Sequence, residues 1–353
     1  MNRPILVTGG AGFIGSNLAD RLAHEGHAVI VYDALSRPGV ETNLGWLQSR
    51  HGQQIEAIVG DIRDEDRLAD AAARADAVFH LAAQVAVTTS LVSPREDFQI
   101  NIAGTLNLLD ALRTRNPGAP LIFASTNKVY GDLCDIDFAL EGDRYQPADP
   151  QVRAHGIGEN RPLDFHTPYG CSKGAADQYV LDYARSYGLR AAVLRMSCIY
   201  GQRQMGTEDQ GWVAHFLIRA LAGEEITLFG DGCQVRDILD VRDAVDAYLA
   251  AWRRIDAVAG RAFNLGGGPA NAVSLRQLIG HIGALIGREV DIRYDDWRAG
   301  DQRYFVADTR AAESALGLGA RVPWRDGVAT LAGWLAEERG LSLAPDLLHV
   351  AAA

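Results

Sequence analysis

The sequence contains few cysteines, and no two of them are close together. Cys134, Cys171, Cys198 and Cys233 are its four cysteines, and they form no C-x-x-C pair. Disulfide-stabilised small domains and structural zinc sites both depend on closely spaced or paired cysteines. The sequence therefore predicts neither a disulfide framework nor a metal site, and it suits a reducing compartment.

Long apolar runs are also absent. No segment approaches the roughly 18 consecutive apolar residues of a membrane-spanning helix, and the chain does not open on a basic and then apolar signal segment. Acidic residues number 45 against 34 basic ones, for a formal net charge of −11. Because nucleic acid is a polyanion, this balance argues against it as a partner. We therefore expect a cytoplasmic protein that binds neither membranes nor nucleic acid.

The composition that remains is that of a folded globular protein. Hydrophobic residues make up 48% of the 353 residues and charged residues 22%, enough for one large or two closely joined domains. In the first half, short apolar runs alternate with amphipathic segments, a pattern typical of β-α-β units. We predict a Rossmann-type, doubly wound α/β sheet whose six parallel strands cover residues 4–7, 28–32, 56–59, 77–81, 120–123 and 191–194.

In the second half the predicted elements are shorter and more mixed. Helices are predicted at residues 211–222 and 274–286, with a strand at 226–228, and together they suggest a smaller lobe. Residues 241–252 and 262–265 are predicted to return to the first sheet as a helix and a strand. The two parts of the chain are therefore expected to interleave.

A glycine-rich loop follows the first predicted strand. Gly9, Gly12 and Gly15 are spaced G-x-x-G-x-x-G, one residue wider than the usual dinucleotide fingerprint. Gly9 permits the tight turn, Gly12 lets a pyrophosphate approach the backbone, and Gly15 lets the helix pack on the strand. The helix that begins near Phe13 and Ile14 directs free N–H groups and its dipole at the phosphates. The loop therefore predicts dinucleotide binding.

An acidic residue ends the second predicted strand. Asp33 is placed to accept hydrogen bonds from the adenine ribose hydroxyls, and its charge would repel the 2′-phosphate of NADP. Arg37, next to Ser36, is the counter-argument, because an arginine here can hold that phosphate. We predict NAD. Further cofactor contacts are predicted at Asp61, Ile62, Leu81, Ala82, Ala83, Gln84 and Asn101.

These patterns divide the chain. We predict an NAD-binding Rossmann domain over residues 1–195, to which residues 238–268 return. The substrate-binding lobe is predicted over residues 196–237 and 269–338, followed by a C-terminal tail over 339–353.

Three polar residues are predicted to be catalytic. Tyr169 and Lys173 are four positions apart at the start of a predicted helix, which places both side chains on one face. A lysine ammonium beside a phenol favours the phenolate and lowers its pKa, so Tyr169 would become a general base. Thr126 ends the fifth predicted strand and would hydrogen-bond to the substrate oxygen. Tyr169 and Lys173 are also predicted to contact the cofactor.

With these residues the chain resembles the extended short-chain dehydrogenase/reductase family of nucleotide-sugar-modifying enzymes, over residues 4–335. Segments 230–237, 263–266 and 298–303 also look like pieces of that family. The resemblance implies a nucleotide-sugar substrate. It also implies a homo-oligomer, a dimer or a tetramer, that pairs through the helix starting near Asp97 and the helix of the catalytic tyrosine.

The resemblance also implies two contacts to the diphosphate of the substrate. Arg236 lies in the segment that provides one such arginine, and Arg298 in the segment that provides a second. A guanidinium can hold a phosphate through two parallel hydrogen bonds, which is the physical reason for this residue type. A surface salt bridge is the alternative role for Arg298 and for Arg303.

The residues after Thr126 distinguish among reactions. Sugar 4,6-dehydratases of this family carry Asp and Glu at the next two positions, where this chain has Asn127 and Lys128. Neither side chain can serve as the acid and base of an elimination, and the glutamate of nucleotide-sugar decarboxylases is missing too. What remains is epimerisation, in which one tightly bound NAD is reduced and reoxidised without being consumed.

Longer segments resemble the CDP-paratose 2-epimerases, also called CDP-tyvelose 2-epimerases. They cover residues 87–90, 125–133, 163–179 and 209–213. The resemblance implies that the tyrosine takes the proton of the C2 hydroxyl while the C2 hydride passes to NAD⁺ and then returns on the other face. The substrate contacts are predicted to be Thr88, Ser90, Asn127, Lys128, Cys198, Arg236 and Arg298, with Gln84 and His166 as further candidates for the sugar.

The sequence departs from the family pattern at two positions, and two alternative functions stay open. Many relatives have Asn where this chain has Ala34, and the wider family commonly has Asn where this chain has Cys198. The cysteine at position 198 leaves the nucleobase and the sugar of the substrate undecided. A nucleotide-sugar 4-epimerase would run the same chemistry at C4, and a dinucleotide-sensing regulator would use the same fold but typically lacks the Tyr/Lys pair.

Overall fold

The structure, a computed structural model, describes residues 3–298 and 300–341, so most of the predicted tail over 339–353 lies outside the described residues. Its strands are β1 (Ile5–Thr8), β2 (Val29–Asp33), β3 (Ile55–Val59), β4 (Ala77–His80), β5 (Leu121–Thr126), β6 (Phe138–Glu141), β7 (Arg144–Pro147), β8 (Ala191–Met196), β9 (Cys198–Tyr200), β10 (Ile226–Phe229), β11 (Val235–Asp240), β12 (Ala262–Leu265), β13 (Ala272–Ser274), β14 (Ile292–Asp295) and β15 (Tyr304–Phe305).

Helices connect most of these strands. They are α1 (Phe13–His24), α2 (Val40–His51), α3 (Glu65–Arg74), α4 (Val87–Val92), α5 (Pro94–Phe98), α6 (Gly104–Arg115), α7 (Pro150–His155), α8 (Thr167–Tyr187), α9 (Trp212–Ala222), α10 (Val241–Arg253), α11 (Ile255–Val258), α12 (Leu275–Ile286), α13 (Arg310–Leu316) and α14 (Trp324–Arg339). A π-helical stretch, Gln99–Ala103, joins α5 to α6.

Seven strands form one parallel sheet in the order β3-β2-β1-β4-β5-β8-β12. The six predicted strands are all present, and β12 is a seventh that pairs with β8. The direction of chain progression reverses between β1 and β4, and ligands of such sheets bind at the carboxyl ends of the strands beside this point. The predicted Rossmann-type α/β fold is confirmed.

Both faces of the sheet are covered by helices, which explains its continuous apolar strands. Alternate residues of a strand point to opposite faces, so Ile5 and Val7 of β1 pack in one layer with α1 and α10, whereas Leu6 packs in the other with α3, α6 and α8. A second, smaller core lies under α9, α12 and α14 and includes Leu217 and Ile282.

A smaller sheet is built around β11. This strand pairs with β9 and β15 in parallel and with β13 in antiparallel orientation. β10 and β14 form a separate parallel pair beside it. Next to this sheet, α12 begins with a capping box. The Ser274 hydroxyl accepts a hydrogen bond from the Gln277 N–H, and the Gln277 side-chain oxygen accepts one from the Ser274 N–H.

A buried histidine at the carboxyl end of β4 is expected to make stability depend on pH. His80 lies between Thr8 Oγ1, 2.6 Å from Nδ1, and Thr105 Oγ1, 3.1 Å from Nε2. Burial first, and the nearby Lys173 charge second, lower the pKa of His80 to about 3. Between pH 6.5 and 3 the unfolded chain therefore binds a proton that the folded chain does not. The free energy of unfolding should fall as pH falls below 6.5, by up to about 1.4 kcal/mol per pH unit.

Urea unfolding at pH 7, 6 and 5 measures this slope. We expect the His80→Gln variant to lose that part of the slope, since glutamine does not titrate. His24→Asn changes an exposed histidine and should keep the wild-type slope. Equal slopes in the wild type and His80→Gln would contradict the assignment.

Candidate active site

The glycine loop packs too closely for side chains at three of its positions, Gly9, Gly10 and Gly15. A Cβ on Gly9, whose φ is +68°, would lie 2.7 Å from the backbone nitrogen of Ala82, and a Cβ on Gly15 would lie 2.2 Å from the Gly9 carbonyl oxygen. The loop can therefore lie against the segment after β4 while α1 starts immediately behind it. This cradle presents the free N–H groups of the first turn of α1, as a pyrophosphate requires.

Asp33 holds the glycine loop in place. Its Oδ2 accepts a hydrogen bond from the Ala11 N–H at 3.0 Å, and its Oδ1 accepts one from the Leu35 N–H at 2.9 Å. Burial raises the pKa of Asp33, and these backbone hydrogen bonds oppose that rise. The carboxylate thus fixes the loop to the end of β2 and stays at the site where the adenine ribose is expected.

A cavity of about 570 Å³ lies at this edge of the sheet. Most of the predicted cofactor residues line it, namely Gly9, Gly12, Phe13, Ile14, Gly15, Asp33, Ser36, Arg37, Asp61, Ile62, Leu81, Ala82, Ala83 and Tyr169. Thr126 and Cys198 also line it. The glycine cradle leaves room for a pyrophosphate, and the Asp33 carboxylate can accept hydrogen bonds from ribose hydroxyls. The lining of this cavity therefore fits a dinucleotide.

Gln84, Asn101 and Lys173 are predicted as cofactor contacts, but none of the three lines this cavity. Asn101 is buried; its Oδ1 accepts from the Gln84 N–H at 2.8 Å, and its Nδ2 donates to Ser172 Oγ at 2.9 Å. The amide therefore joins the loop after β4 to α8. Its contacts are those of a residue that positions the cavity wall.

Tyr169 and Lys173 lie one turn apart on α8, beside the end of β5. Lys173 is buried, and its Nζ donates a hydrogen bond to the Ala124 carbonyl at 2.6 Å. Burial lowers the pKa of Lys173 to about 7. Burial likewise raises the pKa of Tyr169 to about 12, and a hydrogen bond with Thr126 offsets part of that rise.

This result corrects the expectation that Lys173 lowers the pKa of Tyr169. The lysine ammonium is committed to the Ala124 carbonyl, and burial favours its neutral form. The pKa of Tyr169 is therefore set by burial, by the hydrogen bond with Thr126 and by the charge of Asp97. Burial thus opposes the ionisation of Tyr169, and the hydrogen bond with Thr126 favours it.

The turn after Thr126 holds its two predicted substrate residues differently. Asn127 is buried and donates to Gln302 Oε1 at 3.4 Å, and it lines neither cavity. The Nζ of Lys128 donates to the Gly300 carbonyl at 3.0 Å, and burial lowers the pKa of this lysine. Lys128 thus brings a cation to the second cavity.

That second cavity, of about 340 Å³, adjoins the first. The predicted substrate residues Thr88, Lys128, Cys198, Arg236 and Arg298 line it. Cys198 lines both cavities and so marks the place where they meet.

Two other candidates lie outside both cavities. The Ser90 Oγ accepts from the Tyr169 N–H at 3.1 Å and so positions α8. His166 is exposed and lies 2.9 Å from the carboxylate of Asp132. Neither side chain is placed to contact a sugar in these cavities.

The two arginines of the second cavity are held by carboxylates. Arg236 donates to Asp301 Oδ1 at 2.6 Å. Arg298 lies 3.8 Å from the ring centroid of Phe229 and donates to Glu208 Oε1 at 3.1 Å. A diphosphate in this cavity would compete with these carboxylates for the guanidinium groups.

Sequence reasoning missed the buried ion pair behind the site. Arg195 donates to both oxygens of Asp177, each at 2.9 Å, and the Ser125 hydroxyl donates to Asp177 at 2.7 Å. Arg195 also donates to the hydroxyl of Tyr130 at 3.1 Å. The pair thus joins β8 to the helix of Tyr169, and the Ser125 hydroxyl joins the strand of Thr126 to the same helix. The one available signal was the position of Asp177, two turns after Tyr169.

The described part of the chain contains neither a metal-binding cluster nor a membrane-spanning helix. Within residues 3–298 and 300–341, no three His, Cys, Asp or Glu side chains are grouped so that they could hold a metal ion. No helix in these same ranges has the length and apolar character needed to cross a membrane.

The chain is similar to characterised epimerases over nearly its whole length. The CDP-paratose 2-epimerase of Salmonella typhi is 42% identical over 339 residues, which cover 94% of this chain and 98% of that protein. The crystal structure of UDP-glucose 4-epimerase from Thermotoga maritima with UDP-glucose has a TM-score of 0.81 and 32% identity, covering 95% of this chain and 99% of that one.

A further solved structure contains the cofactor. UDP-glucuronic acid 4-epimerase from Bacillus cereus, in complex with UDP-glucuronic acid and NAD, has a TM-score of 0.81 and 26% identity, covering 95% of this chain and 99% of that one. Residues 5–266 match the NAD dependent epimerase/dehydratase family. The chain is therefore an NAD-dependent epimerase that belongs to the NAD dependent epimerase/dehydratase family.

Proposed function

We propose that this protein epimerises a CDP-linked deoxysugar at C2, as a CDP-paratose 2-epimerase. The observation that carries the proposal is the 42% identity to such an enzyme over 94% of the chain. The joined cavities support it, since the first has a dinucleotide cradle and the second has cations from Lys128, Arg236 and Arg298 for a diphosphate.

The proposed mechanism uses the residues on the wall of the first cavity. When bound, NAD⁺ supplies reversible hydride transfer and a positive charge. That charge would favour the ionised form of Tyr169, which then takes the proton of the sugar hydroxyl and returns it after the sugar has turned. Thr126 would orient the oxygen of that hydroxyl, while Lys173 holds α8 against β5 through Ala124.

We propose that the two parts of the chain divide this work. Residues 1–195 with 238–268 would bind NAD, and 196–237 with 269–338 would bind the substrate. The pairing of β12 with β8 supports the first assignment. The second is supported by the second cavity, since Phe229, Arg236 and Arg298 all line it.

The turn after Thr126 favours epimerisation over dehydration. Elimination of water needs an acid and a base, and the side chains of Asn127 and Lys128 are instead hydrogen-bonded to Gln302 and Gly300. The second candidate is a nucleotide-sugar 4-epimerase, which the similarity to the Thermotoga maritima enzyme favours. The two candidates differ in the carbon that is inverted and in the nucleotide of the substrate, since the 4-epimerase would take a UDP- or dTDP-sugar.

Incubation with CDP-paratose and with CDP-glucose in deuterium oxide tests the reaction class. We expect CDP-paratose to be inverted at C2 with no change of mass and no deuterium at C2, because the hydride returns directly. CDP-glucose should never lose the mass of one water.

NMR coupling constants and mass spectrometry give the outcome. Inversion at C4 would favour the 4-epimerase. A water-loss product from CDP-glucose, or deuterium at C2, would contradict direct epimerisation.

We also propose that the protein forms a homo-oligomer in the cytoplasm. Its four cysteines are free thiols, which suits a reducing compartment. Large apolar side chains are exposed on three helices that pack together, α4, α5 and α8: Leu91, Val92, Phe98, Tyr179 and Tyr187. Such a surface is typical of an interface between protein chains.

Light scattering measures the assembly. We expect a dimer or a larger species for the wild type. Val92→Glu should shift it toward the mass of one chain, because Val92 is 84% exposed and a buried carboxylate would oppose pairing. A wild-type protein with the mass of a single chain would contradict the proposal.

A further inference from the structure

A segment between β9 and α9 runs along both cavities; we call residues 201–211 the strap. Seven of its residues line the first cavity: Arg203, Gln204, Met205, Gly206, Thr207, Gln210 and Gly211. Four line the second: Glu208, Asp209, Gln210 and Gly211. Whatever the first cavity holds is therefore in reach of the strap.

Two asparagine amides tie the strap to the glycine loop and α1. The Nδ2 of Asn17 donates to the Phe13 carbonyl at 2.9 Å and to the Gln202 carbonyl at 3.0 Å. The Nδ2 of Asn43 donates to the Ala11 carbonyl and to a strap carbonyl, that of Arg203, both at 3.2 Å. Strap and cradle are thus held together beside the first cavity, whose wall includes residues of both.

The side chain of Arg203 adds a third attachment. Its guanidinium lies 4.2 Å from the ring centroid of Trp46 on α2 and 5.3 Å from that of Trp334 on α14. One of its nitrogens lies 3.6 Å from a carboxylate oxygen of Glu338, and the side chain is only 14% exposed. A planar guanidinium stacks well on aromatic faces. This side chain therefore links α2, the strap and α14.

The backbone of Arg203 is unusual as well. Its φ of +68° lies in the left-handed region, which residues other than glycine rarely adopt. The contacts of Asn43 with its carbonyl and of the tryptophans with its side chain hold it there.

We propose that Arg203 is a positioning residue that keeps the strap closed beside the first cavity and so slows the release of the dinucleotide. The inference rests on the proposed function, in which one cofactor is reduced and reoxidised within a turnover. Release of the reduced cofactor halfway would leave the oxidised sugar with nothing to reduce it. A slow release is therefore what this reaction requires of its binding site.

The experiment measures how fast the purified holoprotein loses NAD. The protein is passed through repeated gel filtration, denatured, and its remaining NAD is measured by enzymatic cycling. We expect Arg203→Ala to lose NAD at least tenfold faster than the wild type, and its turnover to become dependent on added NAD⁺. Arg203→Lys keeps the charge without the planar face and should fall between the two.

Arg50 offers a matched control. Its guanidinium also lies over Trp46, at 5.9 Å, but its side chain is 53% exposed and it does not line the cavity. Arg50→Ala should therefore lose NAD at the wild-type rate. Loss as fast as in Arg203→Ala would assign the effect to the packing of Trp46 and would overturn the proposal.

A second variant covers the case in which Arg203→Ala does not fold. Asn17→Ala removes a half-buried tether of the strap and leaves Arg203 unchanged. It should also release NAD faster. Wild-type retention in every variant that circular dichroism shows to be folded would overturn the proposal. The NAD-retention readout involves no sugar, so inertness toward CDP-paratose would remove the proposed substrate and the turnover readout, and would leave this inference standing.

Discussion

Replacing Tyr169 by phenylalanine is expected to lower kcat by about 10²–10⁴-fold, the range that general acid–base catalysis usually contributes. The change removes only the phenolic oxygen. The backbone N–H of this residue keeps its hydrogen bond to Ser90 Oγ, and Lys173 keeps its bond to Ala124. The fold and the bound NAD should therefore persist. Turnover of CDP-paratose, circular dichroism and the NAD content of the denatured protein give the three readouts.

Tyr179→Phe is the matched control. Tyr179 lies on the same helix, is 45% exposed and lines neither cavity, so its variant should turn over at the wild-type rate. If Tyr169→Phe also kept the wild-type rate, another group would have to be the base.

Replacing Arg195 by leucine is expected to lower the free energy of unfolding by about 3–5 kcal/mol, because it leaves a charge buried without its partner. Asp177 is completely buried, and Arg195 is 5% exposed. Leucine offers no donor to either carboxylate oxygen, and Tyr130 loses a hydrogen bond too. Urea unfolding followed by fluorescence measures the change.

Two further variants separate the buried charge from lost packing. Arg185→Leu breaks an ion pair with Asp182 at the surface, where Arg185 is 81% exposed, and should cost no more than about 1 kcal/mol. The double variant Arg195→Leu/Asp177→Leu should recover part of the loss, since no carboxylate is left unpaired. A double variant less stable than Arg195→Leu would mean that packing dominates.

Features that depend on neighbouring residues could be predicted from the sequence. The strands of the large sheet are continuous apolar runs because both faces are covered, and Gly9 and Gly15 stand where a side chain would meet backbone atoms. The start of α12 follows from Ser274 and Gln277, three positions apart. In each case a few consecutive residues carry the information.

Features that depend on distant residues could not be predicted. β15, with only Tyr304 and Phe305, exists because it pairs with β11, and two residues have no periodicity to detect. The pKa of Tyr169 follows from its burial, and the spacing of Tyr169 and Lys173 carries no information about that. The Arg195–Asp177 pair joins a strand to a helix, a contact that only the folded chain creates.

The pairing of β12 with β8 affects how the chain folds while it is being synthesised. Residues 262–265 complete the large sheet, and α10 covers one of its faces with Val245 and Tyr248. A nascent chain that has reached residue 195 therefore exposes the edge of β8 and an apolar face until about the next 70 residues have emerged. Unpaired edges and bare apolar faces invite aggregation. The first 195 residues are thus unsuited to expression as an independent fragment.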